Sequence, residues 1–301
     1  MLSMDIQKID IHAHAVAFHS WTPVVKKTGY RFLSAEELLS RYDQLNIEKG
    51  VLQPIVSMEG FWLTMSNENC KLLTEQHPDR FLWFCNVDPR AAEHSSASDL
   101  RWIMEHYIAL GARGLGEVTA NLYADDPMVD NLFRQAAELD LPVTIHLSPR
   151  PGFNYGLVDE LGLPRLERML KKHPDVKILG HSQPFWAEIS ADVTEDLRNE
   201  YPKGRVTEGR LTKLLRDYDN LYCDLSAGSG ANALMRDPEF AAGFLAEFSD
   251  RILYGCDFCT PVDQFPFTLD RFLDQLVADG ALSVEHYRKI VRCNAERLLK
   301  L

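Results

Sequence analysis

The sequence predicts an α/β fold, a closed (β/α)8 TIM barrel of parallel strands. Short apolar, β-branched runs recur along the 301 residues, and longer amphipathic stretches separate them. Several runs, such as residues 141–145, are apolar without alternation, which is typical of strands buried on both faces. A doubly wound open sheet is the alternative architecture. The eight predicted strands cover residues 6–12, 50–56, 81–87, 112–118, 141–147, 176–181, 220–225 and 251–257.

Helix start and stop signals lie between these runs. Ser34 and Glu37 form a capping box that predicts a helix after residue 34. Asp126 and Asp237 each precede a proline, a pair of residues that is typical of a helix N-terminus. Prolines at 78 and 174 predict that two helices end at the preceding histidines.

The remaining segments predict a single domain over residues 1–301. Residues 147–163 contain two prolines and three glycines, which indicates a long loop after the fifth strand. Residues 283–301 predict one amphipathic helix, capped by Ser283, that packs outside the barrel. No repeat, low-complexity tract or linker marks a domain boundary.

Composition and charge exclude several function classes. Lys and Arg total 32 against 44 Asp and Glu, a net charge of −12 without basic clusters, which disfavours a nucleic-acid partner. We expect no membrane partner, because no apolar run reaches about 18 residues. The first residues do not resemble a signal peptide, and the six cysteines are scattered, so we expect reduced thiols and a cytoplasmic protein.

Side chains of the types that bind metal ions fall at the carboxyl ends of five predicted strands. They are His12, His14, Glu117, His146, His181 and Asp257. Residues two apart on an extended chain point the same way, so both first-strand imidazoles can reach one ion. In a barrel these strand ends converge on one mouth, whereas in an open sheet they are strung along an edge.

Each of these residues also has a purely structural interpretation. His146 and His181 would be core histidines bonded to backbone carbonyls, and Asp257 would cap a turn. Glu117 would pair with Arg113 or Arg150. The coincidence of so many donors at strand ends favours a metal site instead.

These motifs resemble the amidohydrolase superfamily, in particular its amidohydrolase-related branch, which includes aminocarboxymuconate-semialdehyde decarboxylase. The resemblance rests on residues 9–14, 144–146, 180–181, 254–257 and 294–298, in the family's order. It implies one or two divalent ions, usually Zn²⁺, with His12, His14, His146 and Asp257 as ligands. His181 matches a position that binds a second metal or acts on substrate. Glu117 stands where many members have a lysine, as in TatD-type members with a glutamate ligand, which leaves the number of ions open.

The chemistry expected of such a site is metal-assisted hydrolysis of an amide, ester or lactone in a small molecule. Asp257 would accept the proton of the water and pass it to the leaving group, and His181 would stabilise the charge that develops on the oxygen. The alternative is non-oxidative decarboxylation on the same site. Candidate substrate-binding residues are Trp62, Arg150, Gln183 and Trp186. Family members of this kind are often homo-oligomers, which we expect here by resemblance alone.

Two other function classes are considered. Cys256 and Cys259 form a C-x-x-C pattern that would suggest redox chemistry, but it surrounds Asp257 and is followed by a proline at 261. A non-catalytic barrel would have lost part of the ligand set, and the sequence retains it. TatD-type nuclease activity is disfavoured by the negative charge.

Overall fold

The structure is a computed structural model that describes residues 5–59, 65–153 and 155–301. Its strands are parallel, and each of the eight predicted strands is present. In chain order they are β1 Lys8–Ala13, β2 Ile47–Leu52, β3 Phe81–Trp83, β4 Leu115–Val118, β5 Val143–Ser148, β6 Leu157–Val158, β7 Ile178–His181, β8 Leu221–Asp224 and β9 Ile252–Leu253. The two-residue strand β6 was not predicted. It lies in the predicted long loop and pairs with the end of β5.

Helices alternate with the strands. They are α1 Ala35–Leu45, α2 Asn67–Gln76, α3 Arg101–Ala109, α4 Pro127–Glu138, α5 Pro164–Lys172, α6 Gln183–Ala187, α7 Arg210–Asp217, α8 Ala227–Met235, α9 Pro238–Glu247, α10 Phe265–Ala278, α11 Val284–Arg288 and α12 Asn294–Leu299. The capping box at Ser34 is confirmed, as are the caps at Asp126 and Asp237. In the described part of the chain, every helix is too short or too polar to cross a bilayer.

The strands close into a barrel through two seams. One sheet has the order β1-β2-β3, and the other has the order β4-β5-β7-β8-β9. At the first seam, the N–H of Cys85 donates to the carbonyl of Gly114 at 2.9 Å. At the second, the N–H of Ile11 donates to the carbonyl of Tyr254 at 3.0 Å, which joins the first strand to the last. The closed barrel is therefore confirmed, and the open sheet is rejected.

The C-terminal segment seals the end of the barrel opposite the strands' carboxyl ends. The predicted helix is present as α11 and α12, joined by the wider π turn Lys289–Cys293. The Arg113 side chain, just before β4, donates to the carbonyl of Leu299 at 3.0 Å. Side chains of α12 share one apolar cluster with the strands: Ile9, Ile11, Val51, Phe84, Leu179, Leu253, Ala295, Leu298 and Leu299. The helix thus covers the barrel interior, whereas the sequence predicted packing outside the barrel.

This seal predicts a stability effect far from the candidate site. Leu299→Ala removes a side chain that is 2% exposed, and we expect the free energy of unfolding to fall by about 3 kcal/mol through lost burial and a cavity. Leu301→Ala, where the side chain is 51% exposed, is the matched control and should change it by less than about 0.5 kcal/mol. Urea denaturation of both variants measures the difference. Equal stabilities would contradict the sealing role.

Candidate metal centre

The barrel brings the predicted donor residues to one buried mouth. His12 lies in β1 and His14 follows its end, so both imidazoles lie on the same side of the strand. Glu117 lies in β4, and Asp257 follows β9. The N–H of Asp257 donates to the carbonyl of His12 at 2.8 Å, so the ends of the first and last strands are in direct contact.

Hydrogen bonds fix the orientation of the two β1 imidazoles. His14 Nδ1 donates to the backbone carbonyl of Gln53 at 2.9 Å, and His12 Nδ1 donates to Asp224 Oδ2 at 2.6 Å. A backbone carbonyl and a carboxylate only accept, so each Nδ1 carries a proton and each Nε2 is left directed at the site. These two Nε2 atoms lie 3.1 Å apart. The two Nε2 atoms thus converge on one point, where a divalent cation or a shared proton fits between them.

Glu117 supplies a third donor at matching distances. Its Oε2 lies 3.5 Å from Nε2 of His12 and 3.5 Å from Nε2 of His14. A tetrahedral ion with ligands at 2.0–2.2 Å separates them by about 3.3–3.6 Å. Asp257 Oδ1 lies 3.5 Å from His14 Nε2 and 4.0 Å from His12 Nε2. The donor set therefore fits a divalent cation that takes nitrogen and oxygen ligands.

The carboxylates of the site favour positive charge among the donors. Burial lowers the pKa of His12, but the carboxylates of Asp224, Asp257 and Glu117 outweigh it and hold that pKa well above its ordinary value. Burial raises the pKa of Glu117, but the facing imidazoles hold it well below its ordinary value. Carboxylates that stay ionised in a buried site are compensated by positive charge.

A second group of donors shares Glu117. His146 in β5 donates from Nδ1 to Glu117 Oε1 at 2.7 Å, and His181 at the end of β7 completes the group. His181 Nε2 lies 3.6 Å from Asp257 Oδ2, so Asp257 directs one oxygen to the β1 imidazoles and the other to His181. Glu117 and Asp257 thus each connect two groups of imidazoles.

The competing structural interpretations do not match the contacts. Glu117 pairs with imidazoles, while Arg113 binds a backbone carbonyl of α12 and Arg150 lies over the Phe153 ring at 4.5 Å. The C-x-x-C pattern does not resemble a redox pair. The Cys259 thiol donates to Asp257 Oδ1 at 2.8 Å. Burial raises the pKa of the Cys256 thiol and that of the Cys259 thiol well above the ordinary value of a cysteine. A protonated thiol is a poor partner for disulfide exchange.

The predicted substrate-binding residues fall in different places. Gln183 donates to the Tyr201 hydroxyl at 3.3 Å, and Arg150 is exposed in the loop after β5. Trp186 needs correction, because it is 1% exposed and packs in the core, where its indole N–H donates to the carbonyl of Asp224 at 2.9 Å. The first turn of α6 directs this ring inward. Trp62 lies outside the described residues.

Sequence reasoning missed one residue of the site, Asp224. Asp224 ends β8 and is fully buried, and a carboxylate at the end of the seventh predicted strand was the available signal. Tyr155 lies in the loop after β5, with its ring 4.5 Å from the His146 ring. The next residue is a glycine with φ +110°, and a Cβ there would lie 2.9 Å from His146 Cδ2, so only glycine allows this close approach.

Solved structures with a similar fold include several barrel enzymes. An uncharacterised TIM-barrel protein from Bordetella bronchiseptica is 17% identical, with 98% of this chain and 99% of that chain covered at a TM-score of 0.64. The 5-carboxyvanillate decarboxylase of Novosphingobium aromaticivorans, complexed with manganese and a nitrobenzoic acid, is 18% identical. The match covers 99% of this chain and 97% of that chain at a TM-score of 0.60. A probable 2-pyrone-4,6-dicarboxylic acid hydrolase from Acinetobacter baumannii is 15% identical. The match covers 98% of this chain and 100% of that chain at a TM-score of 0.59.

Comparison with curated proteins gives no match. The family model described as amidohydrolase matches residues 9–301, which includes each donor residue of the mouth. The chain therefore belongs to the amidohydrolase family.

Proposed function

We propose that this protein is a metal-dependent hydrolase that cleaves an amide, ester or lactone of a small molecule. The observation that carries the proposal is the convergence of four side chains: Nε2 of His12 and of His14 lie 3.1 Å apart, and carboxylate oxygens of Glu117 and Asp257 each lie 3.5 Å from His14 Nε2. A divalent ion would be bound by this mixed set of nitrogen and oxygen donors, and the amidohydrolase family is built around such ions.

His12, His14, Glu117 and Asp257 would hold one ion, for which we propose Zn²⁺. The mixed nitrogen and oxygen donors suit zinc, and the manganese of the Novosphingobium enzyme is the alternative. His146 Nδ1 donates a 2.7 Å hydrogen bond to Glu117 Oε1, so this nitrogen has no lone pair to offer the same ion. We therefore assign His146 to orienting Glu117.

When bound, such an ion makes water acidic enough to lose a proton near neutral pH and draws electron density from a carbonyl oxygen. The carboxylate of Asp257 then takes the proton of the attacking water as the new carbon–oxygen bond forms. The bond to the leaving oxygen or nitrogen breaks, and Asp257 returns the proton to that atom. His181, 3.6 Å from Asp257 Oδ2, donates a hydrogen bond to the developing negative charge.

Decarboxylation of a hydroxybenzoate is the second candidate. Two observations favour it: structurally similar proteins include 5-carboxyvanillate and 2,6-dihydroxybenzoate decarboxylases, and His181 Nε2 lies 3.6 Å from Asp257 Oδ2, beside the donor cluster, as a candidate proton donor. In that reaction the carbon–carboxylate bond breaks, CO2 leaves, and a proton from His181 replaces it on the ring. The two reactions therefore use Asp257 and His181 differently.

Metal removal tests the centre itself. We expect the purified protein to hold about one equivalent of divalent ion, and dialysis against a chelator to abolish turnover and lower the melting temperature, because bound metal stabilises the folded state. His14→Ala should lose the ion. His106→Ala, an exposed histidine of α3, is the control and should retain it. Elemental analysis of the wild type and the two variants measures the bound metal. A wild type as free of metal as His14→Ala would refute the proposal.

Replacing the proton carrier tests hydrolysis. Asp257→Asn, reloaded with metal, should lower the hydrolysis rate by about 10²–10⁴-fold, the usual contribution of a general base. The control is Asp263→Asn in the same loop, whose carboxylate binds Thr260 instead of the donor cluster. Metal content is measured on the same samples. Wild-type turnover in metal-loaded Asp257→Asn would contradict the assigned role.

Product analysis separates the two reactions. We expect the metal-loaded protein to open a lactone such as 2-pyrone-4,6-dicarboxylate, or a related ester or amide, without releasing CO2. In parallel, 5-carboxyvanillate and 2,6-dihydroxybenzoate are tested for CO2 by mass spectrometry. Release of CO2 that depends on both the metal and His181 would overturn hydrolysis in favour of decarboxylation.

A further inference from the structure

We propose that Asp224 is a positioning residue that fixes the His12 imidazole for metal binding, and that both of its carboxylate oxygens are needed for this. The inference rests on the metal centre of the proposed function, and it holds for hydrolysis and decarboxylation alike. Asp224 is not among the residues that face the ion. It acts through His12, on the side of the ring away from the donor cluster.

The end of β8 orients two imidazoles from other strands. Asp224 Oδ2 accepts the proton of His12 Nδ1 at 2.6 Å, and Asp224 Oδ1 accepts from the N–H of Ser226 at 2.9 Å. The Ser226 hydroxyl forms a 3.0 Å hydrogen bond with His181 Nδ1. The indole of Trp186 donates to the carbonyl of Asp224 at 2.9 Å, which ties this strand end to α6. Both imidazoles thus have Nδ1 engaged and Nε2 directed at the donors.

The neighbouring strand leaves space for this carboxylate. Gly255, just after β9, has no side chain where Asp224 lies, and a Cβ there would be 2.5 Å from Asp224 Oδ1 and 2.8 Å from Ser226 Cβ. Asp224 is itself 0% exposed. The carboxylate is therefore buried between neighbouring segments, and its nearest side-chain partner is the Nδ1–H of His12, a proposed ligand, with His181 Nδ1 farther away at 3.7 Å. Carboxylates in this position fix the histidine tautomer and strengthen its binding to metal.

An amide at position 224 cannot replace the carboxylate. Both oxygens accept from N–H groups, one from His12 and one from the Ser226 backbone, and an amide accepts at only one of its two atoms. In Asp224→Asn, an NH2 group must therefore face an N–H, or the proton of His12 must move to Nε2. A proton on Nε2 occupies the lone pair that faces His14, and metal affinity falls.

Asp10 offers a matched control on the same strand as His12. It is also buried, its Oδ1 accepts from the N–H of His12 at 3.0 Å and of Cys256 at 2.8 Å, and its Oδ2 accepts from the Tyr42 hydroxyl at 2.7 Å. In Asp10→Asn the amide oxygen keeps both backbone bonds, and the NH2 group donates to a hydroxyl that can turn to accept. Each variant replaces one buried carboxylate by an amide, but only Asp224→Asn breaks the hydrogen-bond pattern.

The test measures zinc affinity by competition with a chromophoric chelator in wild type, Asp224→Asn and Asp10→Asn. We expect Asp224→Asn to raise the zinc dissociation constant by about 10–100-fold and Asp10→Asn to leave it within about twofold. Circular dichroism of the metal-free proteins shows whether each variant is folded. Equal affinity of Asp224→Asn and wild type overturns the inference while leaving the proposed function intact. A wild type that binds no zinc overturns the proposed function itself.

A second measurement needs no variant to fold. In the zinc-loaded wild type, ¹⁵N-edited NMR of the imidazoles should show a protected, strongly downfield N–H proton on His12 Nδ1, as expected of a hydrogen bond to a buried carboxylate. Where Asp224→Asn folds, that signal should move upfield, while it persists in Asp10→Asn. Absence of an Nδ1–H signal from His12 in the wild type overturns the inference directly.

Discussion

The site depends on the hydrogen bonds that join the first strand to the last. The N–H of Ile11 donates to the carbonyl of Tyr254, and the N–H of Asp257 donates to the carbonyl of His12 at 2.8 Å. These bonds connect residues from opposite ends of the chain, and they bring Asp257 within 3.5–4.0 Å of the β1 imidazole nitrogens. Because every strand is parallel, closing this one seam brings all the other strand ends to the same mouth.

Closure also concentrates negative charge in a buried volume. Glu117, Asp224 and Asp257 surround His12, and their carboxylates hold the pKa of this imidazole well above its ordinary value although burial lowers it. A core selected for stability alone would not gather three carboxylates, because each loses its hydration on burial. Local rules of this kind are broken at functional sites, and here a divalent cation held by these donors would supply the compensation.

The parts of this architecture that follow from sequence are those that depend on burial and strand direction. Strands buried on both faces read as apolar runs, and residues at their carboxyl ends must share one mouth, so the meeting of these six side chains was predictable. Trp186 was not, because an aromatic residue in a loop pattern carries no sign of which way it points. The C-terminal helix shows the same limit: its apolar face is visible in the sequence, but the surface it covers is set by long-range packing.

The difference between strand residues and loop residues also explains why the reaction is harder to infer than the metal centre. Strand ends supply a donor set that serves hydrolysis and decarboxylation equally, so the choice lies with groups on the loops above them. The loop after β5 contains such a group, because it places the Tyr155 ring 4.5 Å from the His146 ring. His146 in turn donates to Glu117. A loop residue thus contacts the hydrogen-bonded pair of His146 and Glu117, so a change in this loop would reach the donor cluster through His146.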